Sequence, residues 1–285
     1  MNTSRLVLSC GCNQHCMFCD AAAAAAEDGA EFAAAELARG TRAGRVNITG
    51  GEPTLDPRLP SLIRKIKKSG LKYVAVLTNG LKLSSKKYLL ELESAGTDEI
   101  ILSFFEPEPE RYDLLTGTPG ALARKLKALE NLRGSAVKTT VNLLVYSGNQ
   151  SSADKILERL HTEYGIRNFA LSVLEPDCER VLARPWLIPE IGTVLRSLSR
   201  ISKYCKKHRL SCLVPANGAI PRCAAEKLRL AYPAGEVNGA DMQERTRIKP
   251  AALCSGCARK VACAGMIRVY ALGLARFLKR SRPDA

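Results

Sequence analysis

The sequence predicts an α/β fold: a partial (β/α)6 barrel with a small, cysteine-bearing C-terminal extension. Three observations predict it. Short β-rich runs alternate with helical patterns between residues 5 and 173. The six resulting βα units are two short of a closed eight-fold barrel, so one side is expected to stay open. After Pro185 the rhythm gives way to one long helical pattern and a loop-rich segment holding most of the remaining cysteines.

The strands read from the sequence are Arg5 to Ser9, Arg45 to Thr49, Lys72 to Thr78, Glu99 to Phe104, Val137 to Tyr146 and Arg167 to Leu174. Between them, Leu59, Leu62, Ile63 and Ile66 fall at helical spacing, as do Leu122, Leu126 and Leu129, so each segment can lay one apolar stripe on the sheet. Gly70, Gly96 and Gly134 follow such stretches, where a left-handed stop is expected. A further helix is predicted from about Pro189 to Lys207, and a soft boundary near 185 divides the chain into domains 1–185 and 186–285. The run Ala21 to Ala26 favours helix but has no periodic face to bury.

With 285 residues, 46% of them hydrophobic, the chain can bury a full catalytic domain plus an appendage. Its mean hydropathy is −0.08 and it has no apolar run approaching the ~18 residues of a membrane span. Without an export signal a cytoplasmic location is expected, with no membrane partner. There, eleven cysteines, an odd number, point to metal ligation or catalysis rather than disulfides. The charge of +15 is uneven: residues 1–170 hold 22 Lys/Arg against 19 Asp/Glu, and residues 171–285 hold 21 against 9. That C-terminal excess suits an anionic partner such as an acidic peptide, a nucleic acid or a phosphorylated small molecule; it also suits a plain solvated basic face.

Cys12, Cys16 and Cys19 form C-x3-C-x2-C directly after the first strand, where a barrel carries its active-site loops. Three thiolates on a four-iron cubane leave one iron open to a ligand. A zinc site closed by His15 is the other reading of the same loop. Gly50-Gly51-Glu52-Pro53 follows the second strand, and its glycines let a ligand lie against the main chain.

Cys12-Asn13-Gln14-His15-Cys16-Met17-Phe18-Cys19 with GGEP resembles the radical S-adenosylmethionine superfamily. The resemblance implies a [4Fe-4S] cluster on Cys12, Cys16 and Cys19, whose fourth iron is chelated by S-adenosyl-L-methionine. It places Phe18 beside the adenine and Gly50, Gly51, Glu52 and Pro53 at the ammonium group. Ser103 and Asn142 resemble positions that touch the ribose or carboxylate, although either can simply satisfy a neighbouring backbone group. Thr78-Asn79-Gly80 ends the third strand and reads either as a further family position or as a turn. The implied chemistry is reductive cleavage of the sulfonium, a 5′-deoxyadenosyl radical and hydrogen abstraction, fed by a donor such as a flavodoxin or ferredoxin.

Cys254, Cys257 and Cys263 form C-x2-C-x5-C, and with Cys223 they supply four thiolates, enough for a structural zinc or a second cluster. The run resembles the SPASM and shorter twitch regions, which implies an iron-sulfur extension carrying an auxiliary [4Fe-4S] cluster. Cys10, Cys178, Cys205 and Cys212 lack paired spacing and read as packing, with Cys212 the reserve ligand.

Auxiliary clusters imply maturation of a ribosomally made peptide or a partner protein, and the segment Tyr112 to Ala121 resembles maturases of His-Xaa-Ser type. The alternative is a nucleotide- or RNA-modifying enzyme, similar to the GTP-cyclising enzyme of molybdenum cofactor synthesis. A non-enzymatic nucleic-acid-binding module explains the basic tail but neither Cys12 to Cys19 nor GGEP, and 5% aromatic content leaves few stacking platforms.

Overall fold

In the computed structural model, residues 2–8, 11–19, 43–176, 179–215, 218–232, 247–258, 260, 263 and 265–279 are described. The Ala21 to Ala26 run, Cys10 and Cys178 lie outside them. Strands β1 (Asn2–Leu8), β2 (Ala43–Gly50), β3 (Tyr73–Thr78), β4 (Glu99–Phe104), β5 (Lys138–Val145), β6 (Asn168–Val173) and β7 (Ser211–Leu213) form one sheet in that spatial order. Registers β1–β2, β2–β3, β3–β4 and β6–β7 are parallel. The architecture is therefore an α/β partial barrel, with a seventh strand beyond the six expected. β7 carries an isolated bridge from Leu213 to Ala231.

Parallel neighbours need crossovers, and the helices provide them. They are α1 (Leu59–Lys68), α2 (Lys86–Ala95), α3 (Pro109–Thr116), α4 (Ala121–Arg133), α5 (Ala153–Tyr164), α6 (Glu179–Leu182) and α7 (Ile191–His208). Beyond β7 come α8 (Arg222–Lys227), β8 (Arg247–Ile248), α9 (Ala251–Cys254), β9 (Met266–Ile267) and α10 (Arg268–Lys279). None of the described helices is long and apolar enough to cross a membrane.

The chain packs as two compact units, residues 1–142 with 160–167 and residues 143–159 with 168–285. In the first, α1 buries Leu59, Leu62, Ile63 and Ile66 as expected. The α4 stripe differs from expectation. Leu122, Lys125, Ala128, Leu129 and Leu132 are buried while Leu126 is only half-buried, so a lysine takes the inward position. Gly70 and Gly96 adopt φ of 93° and 100°, whereas Gly134 ends α4 at φ −99° and needs no left-handed backbone. At the start of the strands, Glu99 is buried and receives Arg45 at 2.8 Å, Lys138 at 3.3 Å, the Tyr73 hydroxyl at 3.0 Å and the Thr140 hydroxyl. This pole of a barrel is where a polar network serves stability.

In the second unit, α7 buries Ile191, Val194, Leu195, Leu198, Ile201 and Cys205 along one face. The Glu190 carboxylate caps it by accepting the Gly192 and Thr193 N–H groups. α10 packs on α7 so closely that a Cβ at Gly273 would strike Ile191. Tyr270 donates its hydroxyl to the Leu174 carbonyl at 2.6 Å, and Arg247 pairs with Glu175 at 2.8 Å. Cys205 and Cys212 are both buried and hydrogen-bonded to one another, in keeping with a packing role.

Candidate active site

The site in the first unit is organised by one buried carboxylate. Glu52 is 1% exposed. Its Oε1 accepts the Thr54 N–H at 3.1 Å, the Thr54 hydroxyl at 2.5 Å and the Thr78 hydroxyl at 2.6 Å, while Oε2 accepts the Asn79 N–H at 2.6 Å. One side chain thus ties the GGEP loop after β2 to the TNG turn after β3. The Glu52 N–H also donates to the Gly11 carbonyl at 3.0 Å, which adds the loop after β1. Gly50 ends β2 at φ 145°, and a Cβ there would run into the Leu8 carbonyl, so only glycine fits. Pro53 is buried in the short 3₁₀ turn that follows.

The cysteine loop is clamped on its far side by the end of α3. The His15 N–H donates to Thr116 O at 2.8 Å, the Met17 N–H to Leu115 O at 2.9 Å, and the Thr118 hydroxyl to Asn13 O at 3.4 Å. The stretch beginning at Tyr112 therefore has a structural role for which its maturase-like appearance gave no signal. Gln14, also buried, donates to the Tyr112 hydroxyl at 3.2 Å. Phe18 meets Phe105 edge-on at 5.0 Å, and Phe105 stacks on Tyr112 at 4.8 Å.

Cys12, Cys16 and Cys19 carry free thiols, and Cys12 and Cys16 lie within reach of Cys19's charge. Burial, then the charges of Cys19 and Cys12, push the Cys16 thiol up to about 12, against an opposing pull from Lys125. Burial also raises Cys12, opposed by hydrogen bonds from the Gln14 backbone and the Asn79 amide. Metal binding displaces such protons, and each thiolate then shares its charge with an iron. Among the described residues no three His, Cys, Asp or Glu groups converge as ligands of a single ion. Thiolates on a cubane each take a different iron and stand farther apart. Three neighbouring thiols beside an amide donor and a cation fit an anionic thiolate cluster.

That cation is Lys125, which sequence reading missed. It is fully buried and donates to the Ser103 carbonyl, 5.3 Å from the Tyr112 ring centroid. No carboxylate among the described residues lies within ion-pair distance of it. Burial lowers it to about 8, while Cys16 and Glu52 pull it back upward. Ser103 is thus brought to the site's cation, and Asn142 lies half-buried on β5.

In the second unit, Cys223 falls within electrostatic reach of Cys263 and Cys254, and Cys254 within reach of Cys263 and Cys257. Crowding by neighbouring atoms, then the charges of Cys263 and Cys254, raise the Cys223 thiol although its surface is open to solvent. Desolvation, then Cys263 and Cys257, raise Cys254. Gly265 donates its N–H to the Cys263 sulfur at 3.3 Å.

A model of the radical SAM superfamily matches residues 6–160, more than half of the chain, and the chain belongs to that superfamily. The family implies a [4Fe-4S] cluster and S-adenosylmethionine, and makes this a radical SAM enzyme. Among curated proteins the chain is 28% identical over 159 residues to a probable GTP 3′,8-cyclase of Pyrobaculum aerophilum, covering 53% of this chain and 50% of that one. It is also 28% identical over 131 residues to the PqqA peptide cyclase of Ruegeria pomeroyi, covering 46% and 34%. The chain spans about half the length of the curated GTP cyclases it matches. Among solved structures, Streptococcus suis SuiB bound to S-adenosylmethionine superposes with a TM-score of 0.60 at 16% identity, over 74% of this chain and 49% of that one. Native anSMEcpe with bound AdoMet and the Kp18Cys peptide gives 0.58 at 17% identity, over 74% and 63%. At such identities the likeness is one of fold.

Proposed function

We propose that the chain holds a [4Fe-4S] cluster on Cys12, Cys16 and Cys19, binds S-adenosylmethionine at its open iron, and acts on a ribosomally made peptide or partner protein. The observation that carries the reading is the Glu52 hub, which fixes the cysteine, GGEP and TNG loops in one arrangement. When bound, cluster and cofactor supply one-electron cleavage of the sulfonium to methionine and a 5′-deoxyadenosyl radical that takes a hydrogen atom from the substrate.

The chain's own groups bind and orient. Glu52 spends both oxygens on Thr54, Thr78 and Asn79, so its part is to hold Gly50, Gly51 and Pro53 in place while main-chain carbonyls of that loop receive the cofactor's ammonium. Lys125 meets the cofactor's carboxylate, with Ser103 and Asn142 contacting ribose or carboxylate, because a buried cation with no carboxylate partner among the described residues calls for an anion. Phe18 lies against the adenine, backed by Phe105. Cys223, Cys254, Cys257 and Cys263, in the region from about 186 onward, hold an auxiliary [4Fe-4S] cluster, with zinc the other candidate for the same four thiolates. A flavodoxin or ferredoxin delivers the electron.

Two things support a peptide substrate: the basic C-terminal third, and the peptide-bound state of structures sharing this fold, SuiB with precursor peptide SuiA and anSMEcpe with the Kp18Cys peptide. The GTP 3′,8-cyclase relatives favour a second reading, a nucleotide substrate. The test is 5′-deoxyadenosine release from reconstituted protein with an acidic precursor peptide or with GTP. Stimulation by the peptide, weakened by salt, supports the first reading; stimulation by GTP alone replaces it with the second.

A further inference from the structure

The carboxamide of Asn79 is fixed from every side. Its N–H backbone group is held by Glu52 Oε2 at 2.6 Å, and its Oδ1 accepts the Leu81 N–H at 3.0 Å. That leaves Nδ2 with two hydrogens and two acceptors: Asn13 Oδ1 at 2.7 Å and Cys12 Sγ at 3.7 Å. A flipped amide would lose the Leu81 bond and set oxygen against oxygen at Asn13, so the network fixes which atom faces the sulfur. The turn that carries it is equally constrained. Gly80 stands at φ 81°, its N–H on Thr78 Oγ1 at 2.9 Å, and a Cβ there would strike Leu102. Asn79 is thus a rigid donor aimed at one cysteine of the triad.

A hydrogen bond to a cluster sulfur stabilises the reduced state more than the oxidised one, because the added electron places more negative charge on sulfur. Donors of this kind are among the levers that set a cluster's potential. Apart from the Gln14 backbone, the Asn79 amide is the hydrogen-bond donor acting on Cys12 among the described residues.

We propose that Asn79 is a positioning residue that raises the reduction potential of the cluster on Cys12, Cys16 and Cys19 by donating its amide N–H to the Cys12 sulfur. This rests on the cluster reading above. It gives the TNG turn a second task besides loop fixation, since the Glu52 bond uses only the Asn79 backbone and the side chain, held by Leu81 and Asn13, keeps one N–H for the Cys12 sulfur.

The test is an EPR-monitored redox titration of anaerobically reconstituted wild type, Asn79→Ala and Asn79→Asp, following the signal that changes when S-adenosylmethionine is added. The aspartate keeps the shape, removes the donor and adds a like charge. The expected result is an unchanged iron content with a reduction constant about tenfold lower in Asn79→Ala, about 59 mV for one electron, and lower again in Asn79→Asp. Equal midpoints in all three proteins would overturn the proposal. So would loss of the cluster from both variants, because the side chain would then hold the loop rather than tune the metal. A wild type without a cofactor-sensitive cluster signal would instead remove the reading beneath it.

Discussion

The Glu52 carboxylate accepts the Thr78 hydroxyl at 2.6 Å, joining two loops across residues 26 apart in sequence. With Thr54 and Asn79 on the same carboxylate, Glu52 accepts four hydrogen bonds, three on Oε1 and one on Oε2. Buried carboxylates satisfied in this way are hard to replace.

Glu52→Gln keeps the shape but turns one acceptor into a donor facing a donor. The expected cost is about 1–3 kcal/mol of stability, measured by urea unfolding of the metal-free protein, together with a lower cluster content after reconstitution. Unchanged stability would mean the hub does not hold the loops.

Gly50→Ala puts a methyl group against the Leu8 carbonyl at a φ of 145°. The strain is expected to cost at least about 1–3 kcal/mol, seen as a lower thermal midpoint. Because the displaced segment begins the GGEP loop, cofactor binding measured by calorimetry should weaken in parallel.

Lys125→Met removes a buried cation that has no carboxylate partner among the described residues. Metal-free protein should be no less stable than wild type, since burying a charge is costly and methionine fills similar space. Affinity of the reconstituted protein for S-adenosylmethionine should fall about 10- to 100-fold, the worth of a hydrogen bond to a charged group. Destabilisation with unchanged affinity would assign the lysine to the core.

Burial pushes the Glu99 carboxyl up, but Thr140, Arg45, Lys138 and Tyr73 outweigh it and hold it below its ordinary value of 4.5. A carboxyl lowered in the folded state contributes stability that is full above the ordinary value and lost as pH falls through the lowered one. Glu99→Gln should therefore cost about 1.5–3 kcal/mol at neutral pH and flatten the stability profile below pH 4.5. A variant with the wild-type acid limb would contradict the network's role.

Much of this was legible in the sequence, for reasons that differ by element. The six long strands are apolar runs bounded by helical patterns, and the structure places them within a few residues of expectation. β7, from Ser211 to Leu213, is too short to carry a period. The α4 stripe departs from expectation at one position because a lysine counts as polar in any pattern, and Lys125 rather than Leu126 turns inward, where its ammonium donates to the Ser103 carbonyl. The triad and GGEP were visible because their chemistry is local in spacing. The partnership of Glu52 with Thr78 and Asn79, and the clamp of Thr116 on His15, join residues far apart in the chain, and no spacing encodes them.

The most direct measurement is iron and sulfide content of anaerobically reconstituted protein, wild type beside a Cys12/Cys16/Cys19 triple alanine variant, with dithionite-driven release of 5′-deoxyadenosine assayed on both. The account predicts about eight irons falling to about four, two cubanes reduced to one, with nucleoside release lost. Zinc in place of iron and no nucleoside release from the wild type would contradict it.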